Sequence, residues 1–143
     1  MLATDRQGIP LTVLLSSAST SEFNLLFPTL NTLCVEKRPY HPIKKPHALV
    51  ADRGYDAKWI REKLRRRGIT PFIPKRRKAG QKEEPAYNKR VKAMYRTRWI
   101  VERTFSWIGN FRRTLIRWEK HLSTYQGFIH IACIMLCLRW VLK

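Results

Sequence analysis

Acidic residues are scarce in this chain of 143 residues. Ten Asp and Glu face 29 Lys and Arg, for a formal net charge of +19. A surface so unbalanced repels itself, and a polyanionic partner is the first expectation. Cysteine is scarcer still. The three residues, Cys34, Cys133 and Cys137, form no disulfide framework and are expected to be buried thiols of a cytoplasmic protein. There is no Cys-x-x-Cys, and the four His are scattered, so zinc is unsupported. The chain also has no Gly-rich phosphate loop and no internal repeat. No basic segment followed by an apolar core opens the chain, so no signal peptide is expected. Its longest apolar run, Gly127 to Leu138, is too short to span a bilayer and closes on Arg139, which predicts a buried helix and no membrane.

What is present points to nucleic acid. The cations lie throughout the chain, together with five Trp and five Tyr, a mixture better suited to DNA or RNA than to a lipid surface. The length fits one domain with a core of its own. Met1 to Ser16 reads as a short strand, a turn over Asp5-Arg6-Gln7-Gly8 and a second strand from Leu11, within a hairpin region of residues 1–18 that needs further strands to cover it. Ser19 and Glu22 stand at capping-box spacing before a helix from Phe23 to Val35, which Pro28 should kink or end early. Residues 36–47, with three prolines, read as a loop.

Residues 48–74 predict strand, helix, strand. Ala48-Leu49-Val50-Ala51-Asp52 is a short apolar run ending in an acid, and Gly54 lets the backbone turn away. Asp56 is placed to cap a helix over Ala57 to Arg67, which Gly68 terminates. The second strand is Ile69 to Pro74, with its prolines suited to a sheet edge. Residues 75–90 read as a mobile basic loop, and residues 91–143 as helices, the last from Thr124 to Leu142.

Ala93 to Arg117 holds a single carboxylate, Glu102, among arginines. At helical spacing Met94, Val101, Phe105, Ile108 and Leu115 form one apolar stripe, with Tyr95, Arg98, Glu102 and Gly109 beside it. Glu102 in such a helix is either a minor ion-pair partner of Arg98 or a ligand held at the edge of a buried face. Asp52 at a strand end and Glu102 in a helix are the arrangement that a Mg²⁺ site needs, hard oxygens converging from different elements. Trp99, Trp107 and Trp118 could stack on nucleobases, although packing is the commoner use of an indole, and His130 reads as a core residue.

The wording of these segments resembles bacterial insertion-sequence transposases of the DDE type. Ala51-Asp52-Arg53-Gly54-Tyr55-Asp56 is similar to the segment around the second catalytic Asp. Tyr95-x-x-Arg98-x-x-x-Glu102 is similar to the signature around the catalytic Glu. Thr4 to Leu11 resembles a turn between two sheet strands, and Phe111-Arg112-Arg113, Arg117 and Glu119 resemble the arginine-rich tail. The resemblance implies an α/β, RNase H-like mixed sheet flanked by helices. It also implies Mg²⁺ or Mn²⁺ in a two-metal site, Asp52 and Glu102 as catalytic metal ligands, and Tyr95, Arg98, Arg112 and Arg113 as DNA-binding residues. The partners implied are double-stranded DNA and a second copy or an upstream transposase segment, in the cytoplasm at the nucleoid.

Two departures qualify the match. The signature's Lys position after the Glu is Gly109 here, so its DNA contact would move to Arg112 or Arg113. The first catalytic Asp of such enzymes lies on a first strand, upstream of the opening hairpin. Only three aspartates are present, and Asp5 belongs to a turn while Asp56 suits a cap. The sequence therefore reads as the C-terminal part of a DDE domain, N-terminally incomplete, whose isolated form binds DNA and cuts weakly or not at all. The competing reading is a non-catalytic basic DNA- or RNA-binding module, which would bind with a steep salt dependence indifferent to Mg²⁺.

Overall fold

The computed structural model describes residues 1–36, 40–77 and 88–142. The elements run β1 (Leu2–Thr4), β2 (Pro10–Val13), α1 (Glu22–Asn31), β3 (Val35–Glu36), β4 (Pro42–Ile43) and β5 (Ala48–Val50). After a 3-10 turn at Arg53–Tyr55 come α2 (Lys58–Arg66), β6 (Thr70–Phe72), α3 (Lys89–Tyr95), α4 (Trp99–Gly109), α5 (Arg112–Leu115) and α6 (Leu122–Val141). Among the described residues the strands pair two by two. The result is a mixed α/β protein that divides into two compact units, Met1–Lys44 with Ile100–Lys143, and Lys45–Trp99. Most of the basic loop expected at 75–90 lies outside the described residues.

In the first unit the expected hairpin forms. β1 and β2 are antiparallel, with Leu2 opposite Val13 and a register shift between Ala3 and Thr4. Asp5 builds the turn from its own carboxylate, Oδ1 accepting from the amides of Gln7 at 2.8 Å and Ile9 at 2.9 Å. Leu2 joins Ile108, Ala132 and Leu136 in the core, with Val13, Val101, Trp107, Phe111 and Cys133 packed against it. α1 begins after Ser21, and no side chain caps it, so the capping box expected from Ser19 and Glu22 does not form. Pro28 is accepted inside α1, and the helix ends soon afterwards at Asn31. The loop expected at 36–47 contains a short antiparallel ladder, β3 with β4.

α6 departs from the buried helix expected of its apolar run. Ile129, Ala132 and Leu136 are buried, whereas Ile131, Ile134, Met135, Leu138, Val141 and Leu142 are exposed. The helix is long and apolar enough, by length and composition, to cross a membrane. His130 is exposed rather than in the core, Cys34 is exposed, and Cys133 and Cys137 are half-buried. Burial, reinforced by the neighbouring Cys137, pushes the Cys133 thiol up to about 11.

The second unit is a strand–helix–strand crossover. β5 and β6 are parallel, in the register Ala48 to Thr70 and Val50 to Phe72, and α2 makes the connection that a parallel pair requires. Ile60, Leu64, Ile69 and Ile73 form its buried centre. Gly68, at φ +72°, ends the helix as expected, in the left-handed region where a Cβ would be strained.

Asp56 is not the helix cap that its position suggested. Ala57 stands at the cap, and Asp56 instead binds the Arg61 guanidinium, which donates from Nε at 2.8 Å, and the Arg76 amide at 2.6 Å. Arg61 reaches on to the Ile73 carbonyl at 2.8 Å, so one ion pair ties α2 to the segment after β6. Burial would raise the Asp56 carboxyl, but the Arg76 amide, Arg61 and Lys75 hold it below its ordinary value of 3.8. A lowered folded value means that this contribution to stability is full above pH 3.8 and is lost as the pH falls through the lowered value. Asp56→Asn should therefore cost about 1–3 kcal/mol in neutral urea unfolding and narrow its gap from the wild type in acid. An undiminished gap in acid would show that the ion pair is not the source.

Candidate active site

Asp52 lies just past the C-terminal end of β5, where the sequence placed it. Its backbone is extended, at φ −68° and ψ 163°, and its Oδ1 accepts from the Arg53 amide to begin the 3-10 turn. The same oxygen accepts from the Tyr95 hydroxyl at 3.1 Å. Both hydrogen bonds described for this carboxylate thus fall on one oxygen. A carboxylate held by Oδ1 at a strand end can direct Oδ2 at a cation or a donor.

Tyr95 ends α3, and the Arg98 guanidinium sits 5.7 Å from its ring centroid. The structure therefore brings together three of the expected residues, Asp52, Tyr95 and Arg98, within one unit. Burial raises the Tyr95 phenol above its ordinary value, as do the charge and hydrogen bond of Asp52, with Arg98 and Arg53 opposing. The hydroxyl stays a hydrogen-bond donor throughout the neutral range.

The single helix expected over Ala93–Arg117 is instead three segments. The first break comes at Arg96–Arg98, where Thr97 and Arg98 donate to the Met94 and Tyr95 carbonyls, three residues back, and the Thr97 hydroxyl returns to the Met94 carbonyl at 2.7 Å. A side chain that competes for helix carbonyls favours such an ending. The second break follows Gly109 and Asn110, both weak helix formers. There the Thr114 hydroxyl lies 2.5 Å from the Ile108 carbonyl and 2.8 Å from that of Phe111, satisfying the end of α4. Arg98 thus precedes α4, and Tyr95 is on a different helix from Glu102.

Glu102 occupies the exposed side of the first turn of α4, where the helix dipole favours a carboxylate. The buried face is Thr104 and Ile108 with Val101 half-buried, whereas Phe105 (50% exposed) and Leu115 (70% exposed) lie outside the apolar stripe assigned to them. Thr104, completely buried, donates to the Gly8 carbonyl at 2.9 Å and also lies 3.0 Å from the Ile100 carbonyl. Arg103 donates to the Gln7 carbonyl at 2.6 Å and stacks on Trp107 at 4.5 Å. A Cβ on Gly8, which is at φ +91°, would stand 2.7 Å from Arg103 Nη2 and 2.9 Å from Thr104 Oγ1, so only glycine fits here. The hairpin turn is seated on α4 beside Glu102. Position 104 carried no sequence signal for this contact, because a threonine on the inner face of a helix looks like a flaw in an apolar stripe.

Arg112 and Arg113 are exposed on α5, with Arg113 binding Glu119 at 3.3 Å and facing the Phe128 ring at 5.6 Å. Glu102, Arg112 and Arg113 belong to the first unit, Asp52, Tyr95 and Arg98 to the second. Among the described residues no group of three or more His, Cys, Asp and Glu is placed to hold a metal ion. The donors that do suit Mg²⁺ or Mn²⁺ are the carboxylates, and of the three aspartates only Asp52 is exposed, its Oδ1 capping the 3-10 turn and meeting the Tyr95 hydroxyl.

A family described as "Transposase DDE domain" matches residues 1–138. A protein of Burkholderia cepacia described as "Putative transposase for insertion sequence element IS402" is 33% identical over 137 residues, covering 95% of this chain and 60% of that protein. A Brucella ovis protein, "Putative transposase for insertion sequence element IS6501", is 39% identical over 46 residues, 32% of this chain and 35% of its own length. The matched region is thus 60% of the Burkholderia cepacia protein and 35% of the Brucella ovis protein, less than two thirds of either. No solved structure matches.

The Tyr95–Asp52 bond is open to a direct check. Asp52→Asn removes a negative charge beside the phenol, so the Tyr95 titration, read as the phenolate absorbance missing from Tyr95→Phe, should move part of the way down towards 10.0, with burial holding the rest. A Tyr95 titration indifferent to Asp52→Asn would show that the two do not touch in solution.

Proposed function

Because the chain belongs to the transposase DDE-domain family, we propose that it serves DNA transposition as part of an RNase H-like catalytic domain. In this reading it supplies Asp52 and Glu102 as two of the metal-ligating acids. The observation that carries the reading is the use made of the aspartates. Asp5 closes the hairpin turn and Asp56 clamps Arg61 and Arg76, while Asp52 stands at a strand end with Tyr95 and Arg98 beside it. The third acid, the first Asp of the site, then comes from a segment outside residues 1–143. A parallel pair of three-residue strands, β5 with β6, gains little stability by itself, and the RNase H-like sheet would give it a further strand.

Each residue has a role in that chemistry. Asp52 and Glu102 offer hard oxygens to Mg²⁺ or Mn²⁺. The bound metal supplies activation of the attacking hydroxyl and stabilisation of the leaving oxygen of a phosphodiester. Tyr95 orients Asp52 through Oδ1. Arg98, Arg112 and Arg113 hold phosphates of double-stranded DNA, fixing the register of the strand without reading its sequence. A charge of +19 gives the encounter its strength and its salt dependence. The protein works in the bacterial cytoplasm at the nucleoid, joined to an upstream transposase segment or to a second copy. Alone, the chain binds duplex DNA and does not cut it efficiently, because in this reading it supplies two of the site's three acids.

The test is nicking of labelled duplex DNA carrying the element's ends, in Mn²⁺, by this chain alone and joined to the missing first-strand segment. The chain alone should bind without cutting. The joined protein should cut, and Asp52→Asn or Glu102→Gln should abolish cutting while leaving duplex binding in place. Undiminished cutting by either variant would remove Asp52 or Glu102 from the site. Salt-dependent binding indifferent to metal in both forms would favour the non-catalytic binding module instead.

A further inference from the structure

The bend between α5 and α6 carries an aromatic side chain that the core does not use and that the proposed acids do not need. Trp118 is 73% exposed, and the preceding Ile116 is 55% exposed. Packing was the expected use of this indole, and the structure reverses it. Isolated exposed apolar groups are ordinary on protein surfaces, but the backbone under this one is fixed from several sides. Glu119 turns inward, its side chain 8% exposed, and accepts from the Trp118 amide at 3.2 Å and from Arg113 Nη1 at 3.3 Å. Arg117 folds over the same bend, donating from Nε to the Glu119 carbonyl at 3.0 Å and from Nη2 to the Lys120 carbonyl at 2.9 Å. Beneath it Tyr125 donates to the Thr114 carbonyl at 2.8 Å, and Thr114 is itself bonded to the end of α4. The bend is a hydrogen-bonded knuckle holding its indole outward.

The charge around the knuckle narrows what it meets. Arg112, Arg113, Arg117 and Lys120, all exposed, lie within six positions of Trp118 in the chain, and the one acid in that stretch, Glu119, is turned inward and paired. A ligand with flat apolar faces on an anionic backbone satisfies both features. We propose that this knuckle is a nucleobase-stacking site, in which Trp118 takes the face of an unpaired base on a single strand while Arg112 and Lys120 hold the flanking phosphates. A base still paired inside a duplex presents only its edges, so the site acts where strands have separated. A second copy of the chain is the poorer occupant, because it would bring the same cations to the contact. The proposal rests on the reading that this chain binds DNA.

The test uses the full chain with a labelled oligothymidylate and a blunt duplex, followed by fluorescence anisotropy at several salt concentrations. Trp118→Leu keeps an apolar side chain and removes the aromatic face, and Trp118→Phe keeps a smaller face. Because residue 118 is exposed, both should fold, as circular dichroism would show. Trp118→Leu should bind oligothymidylate on the order of 10-fold more weakly, with Trp118→Phe between it and the wild type. Duplex affinity and the salt slope should stay unchanged, since no charge is lost. Wild-type affinity of Trp118→Leu for the single strand, or equal losses on both nucleic acids, would overturn the stacking site and leave DNA binding intact. Failure of the wild-type chain to bind either nucleic acid would overturn the DNA reading as well. A Trp118-dependent fluorescence shift on phosphatidylserine vesicles with none on oligothymidylate would assign the knuckle to a lipid surface and overturn the proposal.

Discussion

Carboxylates are the limiting resource of this protein, and its local structure depends on where they are placed. With 29 Lys and Arg in the chain, an acid is the strongest available organiser of a cationic segment. Asp5 holds two amides and shapes the turn between β1 and β2. Asp56 gathers Arg61 and the Arg76 amide and ties α2 to the end of β6. Glu119 binds Arg113 and the Trp118 amide and sets the bend before α6. Three acids spent on structure in this way throw Asp52 into relief. It stands at the end of a strand, exposed, with a tyrosine hydroxyl on one of its oxygens.

A second organising contact joins sequence-distant parts of the first unit. The turn that Asp5 builds presents the Gln7 and Gly8 carbonyls, and α4 meets them with Arg103 and the buried Thr104. The close approach admits no side chain at position 8, so the conformational freedom of a glycine and the hydroxyl of a threonine ninety-six positions away serve the same purpose. Glu102 directly precedes the two donors in sequence, one position before Arg103 and two before Thr104, and is exposed on the same helical turn. The orientation of the proposed ligand is therefore inherited from the packing of a hairpin.

Much of this was legible in the sequence, and the exceptions share a cause. The Asp5–Gly8 turn, the acid at the end of β5, the stop at Gly68 and the long last helix follow from local patterns of turn residues and apolar runs. Asp52 and Glu102 stood out from their segments alone. What escaped were interactions between side chains and distant backbone. The single helix over 93–117 breaks at Thr97, whose hydroxyl takes the Met94 carbonyl, and after Gly109 and Asn110, where the Thr114 hydroxyl satisfies the Ile108 carbonyl, and hydrophobic spacing registers neither contact. Asp56 looked like a cap because its neighbours suit one, while its partners lie five and twenty positions on. The exposure of Trp118 and of one face of α6 was hidden for a different reason. Apolar residues announce that they will be covered somewhere, but not that the covering is done by this chain.

In the proposed site Asp52 and Glu102 ligate the same divalent metal. Paramagnetic broadening by Mn²⁺ tests this most directly, because it reports proximity to the ion without requiring turnover. The measurement is made on the amide signals of the chain joined to the first-strand segment proposed to supply the third acid, with substoichiometric Mn²⁺. The amides of Ala51–Arg53 and of Val101–Arg103 should broaden together at the lowest metal additions, and Asp52→Asn should relieve both sets. Broadening at one segment without the other, or broadening unaffected by Asp52→Asn, would contradict shared ligation.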